Sequence, residues 1–236
     1  MSTSHPAPPV NVGILGPEHR RLTIGIVATV VFIAFEAMAV ATAMPKAVSD
    51  LDGLALYALA FSGFFTTSLV GMVASGEMCD RRGPKLPLLT GAAAFSVGLL
   101  VAGSAQAMWP FIGGRALQGL GGGFVIVALY VVVGRAYDES LRPRIFAGMS
   151  AAWVVPSIVG PLVAGLLADH ASWRWVFLGI APLVLLPIAL ALPSVTAVDG
   201  PPPGGAIERK RRTLVAVAHL TRGDHAHQAG GEEPGE

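Results

Sequence analysis

Charged residues and cysteines are the scarcest features of this sequence. Only 13% of its 236 residues are charged, compared with about 25% in soluble domains, while 53% are hydrophobic and the mean hydropathy is +0.63. This composition argues against a water-soluble fold. The formal net charge of +1 is too small to indicate a nucleic-acid partner. The lone Cys79 excludes an intrachain disulfide and a cysteine-based metal cage.

Residues suited to catalysis inside a membrane are also missing. The six histidines all lie outside the long apolar runs, and no His-Glu-x-x-His sequence occurs. The segment Gly148-Met149-Ser150-Ala151-Ala152 lacks the second glycine of a nucleophile elbow. We therefore expect no enzyme activity, no cofactor and no metal site.

Long apolar runs are what the sequence does contain. A helix crosses the hydrocarbon of a bilayer in about 20 residues, and six runs of roughly that length are separated by charge, Gly or Pro. They are Leu22 to Met44, Leu54 to Ser75, Leu86 to Ala105, Trp109 to Val133, Ile145 to Ala168, and Trp175 to Leu192. The sequence therefore predicts an all-α membrane protein with three parts: an N-terminal tail (1–21), a six-helix transmembrane domain (22–192) and a polar, disordered tail (193–236).

Basic residues alternate strongly between the two sides of the predicted spans. Short loops rich in Lys and Arg are retained in the cytoplasm. One side carries Arg20, Arg21, Arg81, Arg82, Lys85, Arg135, Arg142, Arg144, Arg209, Lys210, Arg211, Arg212 and Arg222, whereas the other carries only Lys46 and Arg174. We therefore expect a multi-pass protein of the cell (plasma or inner) membrane with both termini in the cytoplasm.

The segment Gly76–Lys85, between runs two and three, concentrates much of the charge. It holds five of the chain's 31 charged residues in ten positions. We expect Gly76 to let helices approach, Asp80 to cap a helix or pair with an arginine, and Gly83 to permit the chain reversal. The alternative is a topological anchor without a gating role.

Two charged residues lie inside the apolar runs. Glu36 is near the middle of the first run and Arg115 lies several residues into the fourth. Because an arginine near the bilayer centre costs about 2.5 to 3.5 kcal/mol on insertion scales, Arg115 needs a partner or water, or it must snorkel toward the interface. A carboxyl group in such surroundings can exchange a proton when those surroundings change. The alternatives for Glu36 are a protonated hydrogen-bonding residue or a structural pair with Arg115.

With six spans, a cytoplasmic N-terminus and this turn, the chain resembles the N-terminal half of a major facilitator superfamily transporter. The turn of that family has the form Gly-x-Leu-Ala-Asp-Arg-x-Gly-Arg-Lys. It is matched here by Gly76, Asp80, Arg81, Gly83 and Lys85, while Pro84 replaces a basic residue. The resemblance implies that this turn gates the cytoplasmic side.

Two further segments carry the resemblance. Arg115-Ala116-Leu117-Gln118-Gly119-Leu120-Gly121 is similar to the family's Arg-x-x-Gln-Gly-x-Gly. This implies that Arg115 and Gln118, with Glu36, act in proton coupling or in the electrostatics of the central cavity.

The second segment, Gly160-Pro161-Leu162-Val163-Ala164-Gly165, resembles the Gly-Pro-x-x-Gly-Gly of the drug:proton antiporter branch. Its prolines, with Pro156, kink or stiffen the helix, and Gly160, Ala164 and Gly165 favour close helix packing, which is also the alternative explanation of the segment. The spacing of Gly165 and Asp169 repeats that of Gly76 and Asp80 on the opposite side, as an inverted three-plus-three repeat would.

The resemblance implies proton-coupled export of small hydrophobic or cationic compounds, driven by the proton gradient and not by a cofactor. The expected partners are the lipid bilayer, a small-molecule substrate and a second half-transporter or a homodimer, because family members have twelve or fourteen spans. One alternative is a truncated or frameshifted product without independent transport activity. The other is a six-helix half that must dimerise.

Overall fold

The computed structural model describes residues 13–200. The predicted polar tail from residue 201 onward, with its basic cluster Arg209–Arg212, lies outside the described residues, as do residues 1–12. The fold below is that of residues 13–200.

Every regular element in this part of the chain is helical. Its six segments that are long and apolar enough to cross a membrane are called spans one to six. Spans one to four are α1 (Arg20–Asp50), α2 (Tyr57–Arg82, after a 3₁₀ turn at Leu54–Leu56), α3 (Lys85–Ser104) and α4 (Met108–Ala136); span five is α5 (Arg142–Ala151) with α6 (Val154–His170), and span six is α7 (Arg174–Leu178) with α8 (Ile180–Ala197). The predicted all-α, six-span architecture is confirmed. Most helices extend beyond the predicted apolar runs, because helical hydrogen bonding continues into the charged residues at their ends.

Proline accompanies an interruption in each of the last two spans. Pro156 has no N–H to donate to the carbonyl of Ala152, and the interruption between α5 and α6 falls at residues 152–153. Pro182 likewise offers no donor to Leu178, where α7 ends. Pro161, by contrast, lies inside α6 without ending it. The bend predicted for span five is therefore placed by Pro156.

The six spans pack in an exchanged arrangement. α4 lies against α2 and α3, whereas α1 lies against α6 and α8. The first span of each three-span group thus packs on the second and third spans of the other group. Because three spans also reverse the direction of the chain, the two groups have opposite orientations, as an inverted repeat requires.

Glycines on α4 allow these close contacts. A Cβ atom at Gly119 would overlap the carbonyl oxygen of Phe64 on α2, and one at Gly121 would overlap the backbone nitrogen of Phe95 on α3. Only a residue without a side chain permits such backbone approach on both sides of a helix. The segment that follows Arg115 therefore fixes how α4 fits between its neighbours.

The two ends of the bundle differ in charge. At one end, Nε2 of His19 lies 3.2 Å from the carbonyl oxygen of Ala136, beside the basic residues at the ends of α1, α2 and α4. At the opposite end, Nε1 of Trp173 donates to Asp50 at 3.0 Å and Arg174 donates to the carbonyl of Ala105 at 2.6 Å. The basic clusters within residues 13–200 thus gather at one end of the bundle.

Candidate functional site

A buried ion pair joins spans one and four. Nη1 of Arg115 donates to Oε1 of Glu36 at 2.8 Å, and the exposed fractions of the two residues are 3% and 0%. The two residues are separated by 79 positions in sequence, so the pair ties together helices from the two different three-span groups. Arg115 does not snorkel: its guanidinium lies within the bundle and faces an acid.

Gln118 and Phe64 complete the surroundings of the arginine. Nη1 of Arg115 also donates to Oε1 of Gln118 at 2.7 Å, one turn further along α4. The guanidinium carbon lies 4.2 Å from the ring centroid of Phe64 on α2, a geometry in which the ring face attracts a cation. The three predicted site residues Glu36, Arg115 and Gln118 are thus brought together. Phe64 was not predicted, because one aromatic in an apolar run carries no distinguishing pattern.

The cluster keeps hydrogen-bonding capacity that the protein does not use. Oε2 of Glu36, Nε of Arg115 and Nε2 of Gln118 are buried and have no hydrogen-bond partner. A buried polar group left without a partner costs about 1 to 3 kcal/mol, so three such atoms in one cluster favour a functional role over a purely structural one. The free carboxylate oxygen of Glu36 is chemically able to take up a proton without first breaking its bond to Arg115.

The predicted gating turn is shorter than expected. Residues from Gly76 to Arg82 belong to the last turns of α2, and only Gly83 and Pro84 separate α2 from α3. Gly83 has a φ of 85°, a conformation that favours glycine, so its predicted role in the reversal matches the backbone. The expectation for Gly76 is wrong, since nothing lies within 4 Å of a Cβ placed there. The close approach on α2 is made instead by Gly71, against Leu120.

Charged groups of the turn make both local and distant contacts. Arg81 pairs with Glu77 one helical turn away at 3.3 Å, and both side chains are exposed. The backbone nitrogen of Lys85 donates to Oδ1 of Asp199, beyond the end of α8, at 3.2 Å. Asp80 is exposed on the last turn of α2. The turn between spans two and three thus contacts the end of span six.

Arg135 also contacts this turn. From the sequence it was predicted only to be one of the basic residues on the cytoplasmic side. Its guanidinium donates to the carbonyl of Cys79 at 3.3 Å and to the carbonyl of Gly200. It thereby joins the end of α4 to the end of α2 and to the segment after α8. A basic residue in the last turn of a helix was the available signal, because such residues commonly bind terminal carbonyls.

The span-five segment contributes one close contact next to the ion pair. A Cβ at Gly160 would lie 2.9 Å from Cβ of Met38 and 3.4 Å from the carbonyl oxygen of Phe35, and both residues lie within two positions of Glu36. Gly160 therefore lets α6 approach the part of α1 that carries the acid. Gly165 was expected to do the same, but a Cβ there would meet nothing within 4 Å.

Solved structures with a similar fold are transporters. The chain is similar to the crystal structure of peptide transporter POT in complex with sulfate, with a TM-score of 0.64, 17% sequence identity, and coverage of 91% of this chain and 47% of that chain. At this identity the likeness concerns the fold alone. It indicates that six spans of this arrangement form about half of a larger protein of the same fold.

Curated relatives are similar in sequence to about two thirds of the chain. A probable multidrug-efflux transporter of Mycobacterium tuberculosis is 32% identical over 162 residues, which are 69% of this chain and 34% of the relative. The multidrug transporter protein MdtP of Bacillus subtilis is 29% identical over 164 residues, which are 69% of this chain and 30% of the relative. The chain therefore spans about a third of the length of these relatives.

A family model matches most of the chain. The model of the Major Facilitator Superfamily matches residues 25–224, which include most of α1 and every later helix. Together with the six spans and their exchanged packing, this match confirms the resemblance seen in the sequence. The chain belongs to the Major Facilitator Superfamily.

Proposed function

We propose that this chain acts, as all or part of a transporter, in the proton-coupled export of small hydrophobic or cationic compounds. The proton gradient across the cell's plasma or inner membrane drives the export, and both termini face the cytoplasm. The relatives named above as multidrug transporters support this substrate class. The single observation that carries the coupling is the buried pair of Glu36 and Arg115.

Protonation of Glu36 changes the charge balance between the two three-span groups. While Glu36 is ionised, its charge cancels that of Arg115, and the pair is tolerated away from water. A proton on Oε2 neutralises the acid, so the guanidinium keeps its hydrogen bonds to Oε1 of Glu36 and to Gln118 but no longer faces a negative charge. The positive charge then favours any arrangement that brings it nearer to water or to an anionic group. Because α1 and α4 belong to different groups, this preference acts on the packing between them.

The turn between spans two and three has a holding role in this proposal. Gly83 allows the tight reversal, Arg135 binds the carbonyl of Cys79 in the last turn of α2, and the backbone N–H of Lys85 donates to Asp199 after span six. These contacts lie at one end of the bundle and hold four helix ends together there. They keep the cytoplasmic side closed while the substrate site faces the opposite side.

Everted membrane vesicles from a pump-deficient bacterial host test the proposal. Vesicles that contain the chain are expected to accumulate the fluorescent cation ethidium when a proton gradient is imposed, and to release it when a protonophore is added. Glu36→Gln is expected to lower the gradient-dependent part at least tenfold, because the amide cannot bind and release the coupled proton. Glu77→Gln is the matched control, since Glu77 is also paired with an arginine but is exposed on the turn. Unchanged gradient-dependent accumulation in the Glu36→Gln vesicles would contradict the assignment.

A requirement for a second half is the alternative proposal, and the exposure of span two favours it. In its most apolar 18 residues only 11% are buried, compared with 56% in spans three and four. Its exposed side chains include Phe65, Leu69 and Val73. A second six-span half, or a second copy of this chain, would cover this face. The mass of the purified chain in lipid nanodiscs separates the two proposals: an active monomer contradicts the requirement for a partner.

A further inference from the structure

The structure contains a cavity of about 230 Å³ whose lining includes neither Glu36 nor Arg115. Its walls come from three spans and consist of Val30 on α1, Ile126 and Tyr130 on α4, and Met149, Ser150 and Trp153 of span five. Along α1, Val30 lies between Glu36 and the basic end of the bundle, and along α4, Tyr130 lies between Gln118 and Arg135. The cavity is therefore on the side of the ion pair that faces the basic end.

Two aromatic side chains, Tyr130 and Trp153, line this cavity. The ring of Tyr130 stacks on Phe146 with centroids 5.4 Å apart and an interplanar angle of 23°. Trp153 lies in the interruption of span five, and Ser150, near the end of α5, lines the same cavity. Tyr130 and Trp153 are 50% and 40% exposed. Two large rings thus border an accessible space and do not fill it.

Three polar groups on this wall have no protein partner. Within residues 13–200, the hydroxyl groups of Tyr130 and Ser150 and the indole N–H of Trp153 make no hydrogen bond to the protein. Tyr and Trp commonly present an apolar ring together with one polar atom to a ligand or an interface. Polar atoms placed among apolar side chains also fix the orientation of a small molecule in a binding site.

We infer that this cavity is the subsite that binds an uncharged, planar aromatic part of the transported compound, with Tyr130 and Trp153 against the rings and Ser150 within reach of a polar substituent. The inference rests on the proposed transport function and narrows its substrate class. The wall contains no charged residue, and the nearest acid along α1, Glu36, is already paired with Arg115. A cation placed here would find ring faces but no carboxylate.

The size of the cavity limits what it holds. Pockets for drug-sized molecules measure roughly 300 to 1,000 Å³, and this one is smaller. It accommodates one fused ring system and not a whole drug. The remainder of the compound lies outside this cavity.

Binding of 1-naphthol to the purified chain in detergent micelles tests the inference. The compound is planar, uncharged at neutral pH and carries one hydroxyl group. Equilibrium dialysis against matched empty micelles is expected to show saturable binding to about one site. Trp153→Ala and Tyr130→Phe are each expected to weaken that binding about three- to tenfold, through loss of a ring contact and of a hydrogen bond respectively. Trp109→Ala is the control, because Trp109 is 67% exposed and lies at the other end of α4.

Four results overturn the inference. They are no saturable binding to the parent chain, unchanged binding to both cavity variants, an equal loss in Trp109→Ala, and binding of the cation N-methylquinolinium as tight as that of 1-naphthol. If Trp153→Ala melts at a lower temperature than the parent chain, Tyr130→Phe and Ser150→Ala decide the outcome, since each removes a single oxygen atom.

The transport assay separates this inference from the function on which it rests. A chain that binds 1-naphthol through Trp153 but never transports in a gradient-dependent way contradicts the proposed function, while the cavity stands as a binding site for an uncharged aromatic ring. A chain that exports ethidium with the gradient but binds 1-naphthol independently of Trp153 contradicts the cavity assignment alone.

Discussion

Replacing the two charged members of the buried pair, singly and together, measures how strongly they depend on each other. The variants are Glu36→Leu, Arg115→Met and the double variant, and the measured quantity is the free energy of unfolding of the chain in mixed micelles. Each single replacement leaves one charge buried without its partner. The double replacement leaves apolar side chains of similar length in a site that is buried within the bundle.

The geometry fixes the expected size of these effects. The charges are 2.8 Å apart, and the side chains are 4% and 0% exposed. Loss of one partner of such a pair costs about 3 to 5 kcal/mol, whereas replacement of both by apolar groups is often neutral or stabilising. The arginine keeps its bond to Gln118 when Glu36 is replaced, so we expect Glu36→Leu near the lower end of this range. The coupling energy of the cycle is expected to exceed about 2 kcal/mol.

Arg81 and Glu77 provide the matched control cycle. They are 3.3 Å apart but 63% and 64% exposed, and exposed pairs one helical turn apart contribute about 0.3 to 0.5 kcal/mol. A variant whose unfolding free energy depends more steeply on denaturant concentration has a changed unfolded state. The denaturant midpoints are therefore compared only among variants that share the same slope. The reasoning is refuted if the buried pair couples no more strongly than the exposed pair, or if the double variant is as unstable as the sum of the single variants.

Three further predictions concern the backbone and one titrating group. Gly121→Ala is expected to lower the stability by about 1 to 3 kcal/mol, because a Cβ there overlaps the backbone of Phe95. Gly165→Ala should raise the stability by about 0.5 to 1 kcal/mol, because a Cβ there has no atom within 4 Å. Thermal melting of the two variants checks the difference. Gly83→Ala places a side chain at a φ of 85° and should cost about 1 kcal/mol or more, with Arg81→Ala in the same turn as the unstrained control. Burial raises the pKa of Tyr137, and its hydrogen bond to the hydroxyl of Thr23 opposes that effect. As pH rises, the tyrosine therefore loses its proton in the unfolded state first, so the stability should fall above about pH 10. Tyr137→Phe should reduce this pH dependence in unfolding titrations.

The architecture followed from the sequence because apolar length and flanking charge act locally. A run of about 20 apolar residues has few stable alternatives to a spanning helix, and basic ends such as Arg81 and Arg135 mark where each run leaves the hydrocarbon. The ends of the helices were less well predicted, since the backbone hydrogen bonds of α8 continue past Leu192 to Ala197 without any change that hydropathy would register.

Contacts between helices depend on their rotation, which hydropathy alone does not determine. Gly76 and Gly165 were expected to make close contacts and do not, whereas Gly71 does. A glycine in an apolar helix carries the same local signal whether it faces a neighbour or open space. Pro156 and Pro161 are likewise equivalent in sequence, yet only the first accompanies an interruption of its span.

The candidate site was predicted residue by residue but not as an assembly. Glu36 and Arg115 stood out because charge inside an apolar run is expensive, and their pairing was one of several open interpretations. The contact itself spans 79 residues and needs the exchanged packing of α1 and α4. The roles of Glu36, Arg115 and Gln118 in coupling, and of the turn in gating, remain predictions for the assays above.

The exchanged packing also has a consequence for the order in which the protein is made. α4 leaves the ribosome after α2 and α3, so the two helices on which it packs have been made before it enters the membrane. Among the described spans, α1 is synthesised before α4, but the helices on which it packs, α6 and α8, are synthesised after α4. The carboxyl group of Glu36 must therefore remain in the bilayer or at its surface without Arg115 until the fourth span arrives. The first of the six spans thus completes its packing last, and a fault in its insertion should become apparent only after spans five and six have been made.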